Sequence, residues 1–415
     1  MNRDERQEIC ISNWKAAGGK GILELCVGFG KTRCSLKIMQ RLIAKKPNAK
    51  IIVIVPTEYL KGQWLLQIAD WKLLHNTDVI IINSAIGERG FECDLLIVDE
   101  IHEACNDNRI TLFKTIKHKL CLGLSGSLDR IDNKQLSLLR FLPVVDTITL
   151  LEAVRNDWVA KANEYKVLLT VDLTEYQEAH QRFLHHFAFF AFDFELAMAC
   201  LKDSTVRYNY ALQISGGQSK GAISGAMGEI MVHAIQFMKA LSDRKNFVWS
   251  HVKKTEIARL IVDHRRDKKI ITFSQTKAMA ESIGEGMLMH SGQTKKKRGQ
   301  IMDEFNAMEC GLLSSAKALE RGADIQNLSV AINMAFNSSK IAKTQKSGRV
   351  SRKEGDKTAE VYTLLIKGTM EEAWYNKSMA GTPYITIDES QLVALLKGEE
   401  YKETKEKHKE YLFSI

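Results

Sequence analysis

The segment Glu24-Leu-Cys-Val-Gly28-Phe29-Gly30-Lys31-Thr32 joins two glycines, a lysine and a hydroxyl, after an apolar run and before a helical pattern. Such glycines let backbone N–H groups curl around phosphate oxygens. Lys31 would bring a point charge to the β- and γ-phosphates, and Thr32 a hydroxyl for Mg²⁺. Leu25 stands where the general G-x-x-x-x-G-K-[ST] pattern has its first glycine. A glycine-rich strand-to-helix turn with an incidental lysine is the plainer reading. Downstream, Leu95-Leu-Ile-Val-Asp99-Glu100-Ile-His102 is an apolar strand ending in two carboxylates. Asp99 would hold Mg²⁺ and Glu100 would orient or deprotonate an attacking water. In the second half, Gln345-Lys-Ser-Gly348-Arg349-Val-Ser-Arg352 puts two arginines on one helical face. Planar guanidinium groups suit the charge on a transferring γ-phosphate, although a basic surface helix would read the same way in isolation.

These residues need strands to carry them. Short β-branched runs alternate with helical patterns in two places, which predicts two parallel α/β domains. Strands are expected at 21–27, 50–55, 79–83, 94–99 and 120–125, then at 269–274, 287–290, 311–315, 329–333 and 359–366. Several are almost continuously apolar, as parallel strands buried on both faces should be. The expected domains are 1–170, carrying the phosphate loop; a helical insertion or linker, 171–267; a second α/β domain, 268–380; and a charged helical tail, 381–415. Within the insertion, Phe183, Phe187, Phe190 and Phe194 fall on one helical face and read as a core stripe. A small-residue break is expected over 215–228. His185 and His186 are adjacent, and neighbours on a helix do not face one metal.

Composition narrows the function. The chain has 415 residues, 45% of them hydrophobic and 26% charged, so wholesale disorder is excluded. A net charge of +9 raises the expectation of a polyanionic partner. The eight cysteines form no C-x-x-C; with no apolar stretch of membrane-spanning length, the chain reads as cytosolic, in a bacterium or a phage-infected host. Cys26 reads as a packing residue.

Taken in order, the motifs resemble those of superfamily 2 helicases and translocases, over about 1–170 and 268–380. Arg6-Gln7 matches the adenine-reading glutamine, Gly28–Thr32 motif I, and Pro56-Thr57 with Leu60, Gln63 and Trp64 motif Ia. Asp99-Glu-Ile-His102 is similar to a DExH-type motif II. Leu124-Ser-Gly-Ser127, with Gly126 in place of the family's alanine, stands at motif III. Ile271–Gln275, Met289-His-Ser-Gly292, Leu319–Ile325 and Gln345–Arg352 resemble the motifs of the second domain.

The resemblance implies ATP with Mg²⁺ between two RecA-like domains. Gln7, Gly28, Phe29, Gly30, Lys31, Thr32, Asp99 and Glu100 would act from one side; Gln345, Arg349 and Arg352 from the other; Gly322 and Asp324 near the ribose. Thr32 and Asp99 would hold the metal. Pro56, Thr57, Ser274, His290 and Ser315 would line a nucleic-acid track, together with Lys295 and Arg298 of the basic Lys295–Arg298 run. Within the superfamily the chain looks most like compact phage or bacterial DNA translocases of the UvsW/RadD-like kind, with Swi/Snf-type similarity around Tyr362–Glu371. Double-stranded or branched DNA is the expected partner. RNA is the alternative, as is a role as motor subunit of a larger DNA-processing complex. A scaffold with a degenerate motor fold is disfavoured, because the ATP-site residue types are all present.

Overall fold

The computed structural model describes residues 1–87, 91–105, 107–128, 135–159, 162–217, 219–317, 325, 327–336, 359–379 and 383–400. Apolar β-branched runs form β1 (Lys20–Leu25), β2 (Ile51–Val55), β3 (Thr77–Ile81), β4 (Glu92–Val98), β5 (Lys117–Ser125) and β6 (Val144–Ile148). They make one parallel sheet in the order β3-β2-β4-β5-β1-β6. Alternation sends Ile51, Val53, Val55, Leu95 and Ile97 into a core on one face. Ile52, Ile54, Leu96 and Val98 enter a core on the other. The parallel direction gathers the C-terminal ends of β1, β2, β4 and β5 along one edge, where ligands of open α/β sheets bind.

The second sheet contains β7 (Ala162–Leu169), β8 (Lys269–Ser274), β9 (Met287–His290), β10 (Gly311–Ala316), β11 (Val330–Asn333), β12 (Ala359–Ile366) and β13 (Ile385–Asp388). Its order is β13-β7-β12-β11-β8-β10-β9, again all parallel. The two-domain parallel α/β class is therefore as expected. Three strands stand outside the expected segments: β6 in the first sheet, and β7 and β13, which lie within 1–170 and the tail yet both pair in the second sheet. β7 was hidden by Glu164 and Lys166, charges that fold into the interior. Lys166 Nζ is 3.0 Å from Glu372 Oε1, with both side chains buried.

The insertion is helical. The Thr174–Ala188, Phe194–Lys202, Ser204–Ile214 and Lys220–Ser250 helices enclose Phe187, Phe190, Cys200, Ala234 and Phe237. Phe183, Phe187 and Phe190 pack there and Phe194 is half exposed at 50%, but they do not share the expected single helical face, because the first helix ends at Ala188 and Phe194 opens the next. The expected break is shorter than 215–228, because the Lys220–Ser250 helix runs through Gly221, Gly225 and Gly228. The Val252–His264 helix then buries Ile257, Ala258 and Ile261 against the second sheet. Its Lys254 forms a fully buried ion pair, 2.7 Å, with Glu371.

Candidate nucleotide site

β1 runs up the sheet between β5 and β6 and releases the chain into the loop at Cys26. Gly28 (φ 87°) and Gly30 (φ 104°) both take the left-handed backbone region, which costs glycine little. Gly30 is also the N-cap of the Lys31–Lys45 helix and offers no side chain to its first N–H groups. The leading N–H groups and the positive dipole end of a long helix are left open to an anion. A Cβ on Gly30 would stand 2.6 Å from Gln7 Nε2, so the packing also demands glycine. Gln7 is completely buried and donates from Nε2 to Phe29 O at 2.9 Å, tying the first helix to the loop. Its Oε1 is a buried acceptor with no hydrogen-bond partner among the described residues.

The Arg3–Ala16 helix holds Gln7 because Arg6 clamps it to β6. Arg6 donates twice to the Asp146 carboxylate, at 2.7 Å each, and Asn13 adds a third bond at 3.0 Å. Burial opposes the charge on Asp146, but the Arg6 guanidinium beside it holds its carboxyl below the usual range.

Across the sheet edge, β4 delivers Asp99 and Glu100. Asp99 N donates to Ile54 O at 2.8 Å, and Glu100 turns the chain with φ 47°. Asp99 is buried, accepting from Trp64 Nε1 at 2.8 Å and from Glu100 N at 2.9 Å. Burial and the neighbouring Glu100 carboxylate push Asp99 up to about 6, against the pull of Lys31 and these two donors. Lys31 Nζ lies 3.4 Å from Glu100 Oε1, so the loop lysine and the carboxylate pair face one space.

His102 Nδ1 is 3.1 Å from Ser125 Oγ and 3.4 Å from Glu100 Oε2. Ser125 gives its own proton to Ser127 O at 2.7 Å, which assigns the proton of that contact to His102 Nδ1. The Asp99–His102 segment is thus linked through histidine to the end of β5. At Gly126 a Cβ would stand 3.3 Å from Lys31 Nζ; the missing methyl leaves that room to the ammonium. Cys26, raised to about 12 by burial, is a packing thiol.

The other expected residues divide into groups. Thr57, after Pro56 at the end of β2, caps the Glu58–Asp70 helix by accepting from Leu60 N. Register places Ser274 and His290 beside Ala316 at the C-terminal edge of β8-β10-β9, with Ser315 one residue before. Ser274 Oγ is 3.2 Å from Ser315 O. His290 Nδ1 accepts from Gly292 N at 3.2 Å. Lys295 and Arg298 open the Lys295–Ala307 helix, capped by Thr294. Gly322, Asp324, Gln345, Arg349 and Arg352 lie outside the described residues. The sequence reading quoted Trp64, His102 and Ser125 only within motifs; their bonds to the carboxylate pair and to one another had no local signal.

The sequence and the fold have counterparts in known proteins. Residues 1–88 match the family model described as type III restriction enzyme, res subunit, and residues 252–354 match the helicase conserved C-terminal domain. The chain is 24% identical over 372 residues to the DNA 3'-5' translocase XPB2 of Sulfurisphaera tokodaii, covering 85% of this chain and 79% of that one. Two solved structures share the fold. One is the Hef helicase domain of Pyrococcus furiosus, with TM-score 0.50, 17% identity, and 90% and 97% of the two chains covered. The other is Dbp5 of S. cerevisiae bound to RNA and ADP BeF3, with TM-score 0.58, 12% identity, and 94% and 91% covered. Among the described residues, no helix is long and apolar enough to cross a membrane. The two family models in chain order and a translocase relative along most of the sequence indicate that this chain is an enzyme, a helicase-type ATP hydrolase.

Proposed function

We propose that the chain is an ATP-driven DNA translocase or helicase acting on double-stranded or branched DNA. The observation that carries this reading is the facing of Lys31 and Glu100 at 3.4 Å above the buried Asp99, in a chain whose long relative is named a DNA translocase. The residues present fit Mg·ATP. Asp99 is buried beside the Glu100 carboxylate and raised to about 6, and a divalent cation on Asp99 and Thr32 would add positive charge to that of Lys31. The orphaned Gln7 Oε1 suits the amino group of an adenine. When bound, Mg²⁺ would neutralise developing phosphate charge.

In this scheme the open helix end at Gly28–Thr32 binds the phosphates, Lys31 leaves Glu100 for them, and the freed Glu100 orients the water. His102 fixes the Glu100 carboxylate and reports its state to Ser125. Gln345, Arg349 and Arg352 would complete the site from the second domain, with Gly322 and Asp324 contributing near the ribose, as the family resemblance implies. Because closure around the γ-phosphate needs both domains, binding and hydrolysis favour different domain arrangements, which is the differential affinity a motor requires. Pro56, Thr57, Ser274, His290, Ser315, Lys295 and Arg298 form the phosphate-contacting track. The DExH subtype, the likeness to compact phage or bacterial motors and the Swi/Snf-type similarity belong to the same reading. Action on RNA is the second reading, favoured by the shared fold of RNA-bound Dbp5. ATPase rates measured in parallel without nucleic acid and with duplex, forked and single-stranded DNA and with RNA separate them. Strongest stimulation by duplex or forked DNA is expected, and strongest stimulation by RNA overturns the DNA assignment.

A further inference from the structure

At the foot of the insertion an arginine is buried without a counter-ion. Arg244, on the Lys220–Ser250 helix, is 7% exposed. Among the described residues its buried Nε has no hydrogen-bond partner, and no carboxylate stands within ion-pair distance of it. The acid next to it in sequence, Asp243, reaches Arg182 instead, at 3.7 Å. What Arg244 touches is aromatic. Its Cζ stands 4.1 Å from the centre of the Phe183 ring and 6.0 Å from that of Tyr176. His180 lies between these two on the Thr174–Ala188 helix, its ring within 5° of parallel to Tyr176 and 11° to Phe183.

Ring faces attract a cation, but weakly beside the cost of taking a charge out of water with no partner. The uncompensated charge is felt nearby. Burial and then Arg244 hold His180 below the ordinary imidazole range, and the same two causes lower the Lys245 ammonium, with no acid offsetting either. Lys245 is half-buried, its Nζ 5.9 Å from the Trp249 ring. The second domain holds this platform in place. Tyr176 Oη accepts from Met370 N at 2.9 Å, and Trp249 Nε1 donates to Phe336 O at 2.9 Å. Two adjacent cations are thus fixed before any anion arrives, and a planar guanidinium offers paired donors that suit phosphate oxygens. In a chain of net charge +9 whose proposed track is a polyanion, the matching anion is a backbone phosphate.

We propose that Arg244 and Lys245 bind a backbone phosphate of the DNA, a contact by which the insertion grips the track beside the second domain. This rests on the DNA reading above.

The test measures binding of a duplex DNA against salt for the full chain, unaltered and as Arg244→Met and Arg244→Lys. Arg244→Met should flatten the log–log slope by about 0.9, so that a fourfold rise in salt costs the unaltered chain about 3.5-fold more affinity than the variant. Arg244→Lys, which keeps the charge, should keep the slope, and DNA-free ATPase should not change in either. Without DNA, Arg244→Met should melt no lower than the unaltered chain, because a charge without a partner has been removed. An arginine that only packs gives the opposite pair, lower melting and the same slope. In the unaltered chain, the Arg244 Nε–H resonance should shift on adding duplex DNA and not on adding inorganic phosphate at the same phosphate concentration, a readout independent of how the variants fold. An unchanged slope in a folded Arg244→Met, an unmoved resonance, or an equal shift with inorganic phosphate overturns the DNA contact. Failure of the DNA reading alone looks different: ATPase is stimulated most by RNA, and the salt slope on RNA is still flattened in Arg244→Met.

Discussion

Trp64→Phe removes one hydrogen-bond donor from Asp99 while keeping most of a buried ring. Trp64 is 2% exposed and its Nε1 lies 2.8 Å from Asp99 Oδ2. A hydrogen bond to a charged group contributes about 1.5–3 kcal/mol. At 1.36 kcal/mol per pKa unit, its loss moves the ionisation of Asp99 up by about 1–2 pH units from its value of about 6. The direction matters for stability too. A carboxyl raised in the folded state favours folding when protonated, so this contribution is present at low pH and lost as pH rises through about 6. For activity the ionised form is needed to hold the cation. At pH 7 about nine-tenths of wild-type sites are ionised, against roughly a tenth to a half in the variant, a loss of about two- to tenfold. The assay is kcat/KM for Mg·ATP at sub-saturating Mg²⁺ from pH 5.5 to 9.5. The acid limb should move upward, activity should recover above pH 9, and high Mg²⁺ should pull both limbs down. A loss that is the same at every pH, or an unmoved limb, refutes the role given to this bond.

Three further outcomes follow from the site. Glu100→Gln should keep ATP binding and cut turnover by about 100-fold, because general-base groups contribute about that much; equal loss of binding, measured with a fluorescent nucleotide, would make Glu100 structural. Arg349→Ala and Arg352→Ala should each reduce hydrolysis, by as much as ~10³-fold, with unchanged circular dichroism; wild-type turnover in both would remove the second domain from the site. Replacing Lys295, Lys296, Lys297 and Arg298 with Gln should weaken DNA binding and flatten the log–log salt dependence by about 2 to 3, leaving DNA-free ATPase alone, and an unchanged slope would mark the run as solvated surface.

What could be read from the sequence was whatever is local and apolar. Strands such as β2 and β4 announce themselves because both faces are buried and nothing interrupts the run. β6 escaped notice because only Ile148 of its five residues is fully buried, and its Asp146 is spent on Arg6. β13 has four residues at a sheet edge. β7 looked too charged, and only a glutamate 206 positions away explains its lysine. The same division runs through the nucleotide site. The loop and the carboxylate pair are short motifs with fixed spacing, whereas Trp64 on Asp99 and Ser125 under His102 are contacts that only the folded sheet creates. His186 likewise meets His233 of another helix, 47 residues on, a contact with no local trace in the sequence.

The central claim, that ATP turnover at Lys31 and Glu100 drives movement along DNA, is tested most directly by displacement of a third strand from a DNA triplex. The wild-type chain with Mg·ATP should release the triplex-forming strand from a duplex track at a rate that rises with ATP concentration, and Lys31→Ala and Glu100→Gln should release none while still folding. Robust ATP hydrolysis with no displacement from any DNA track, accompanied by unwinding of an RNA duplex, would contradict the claim.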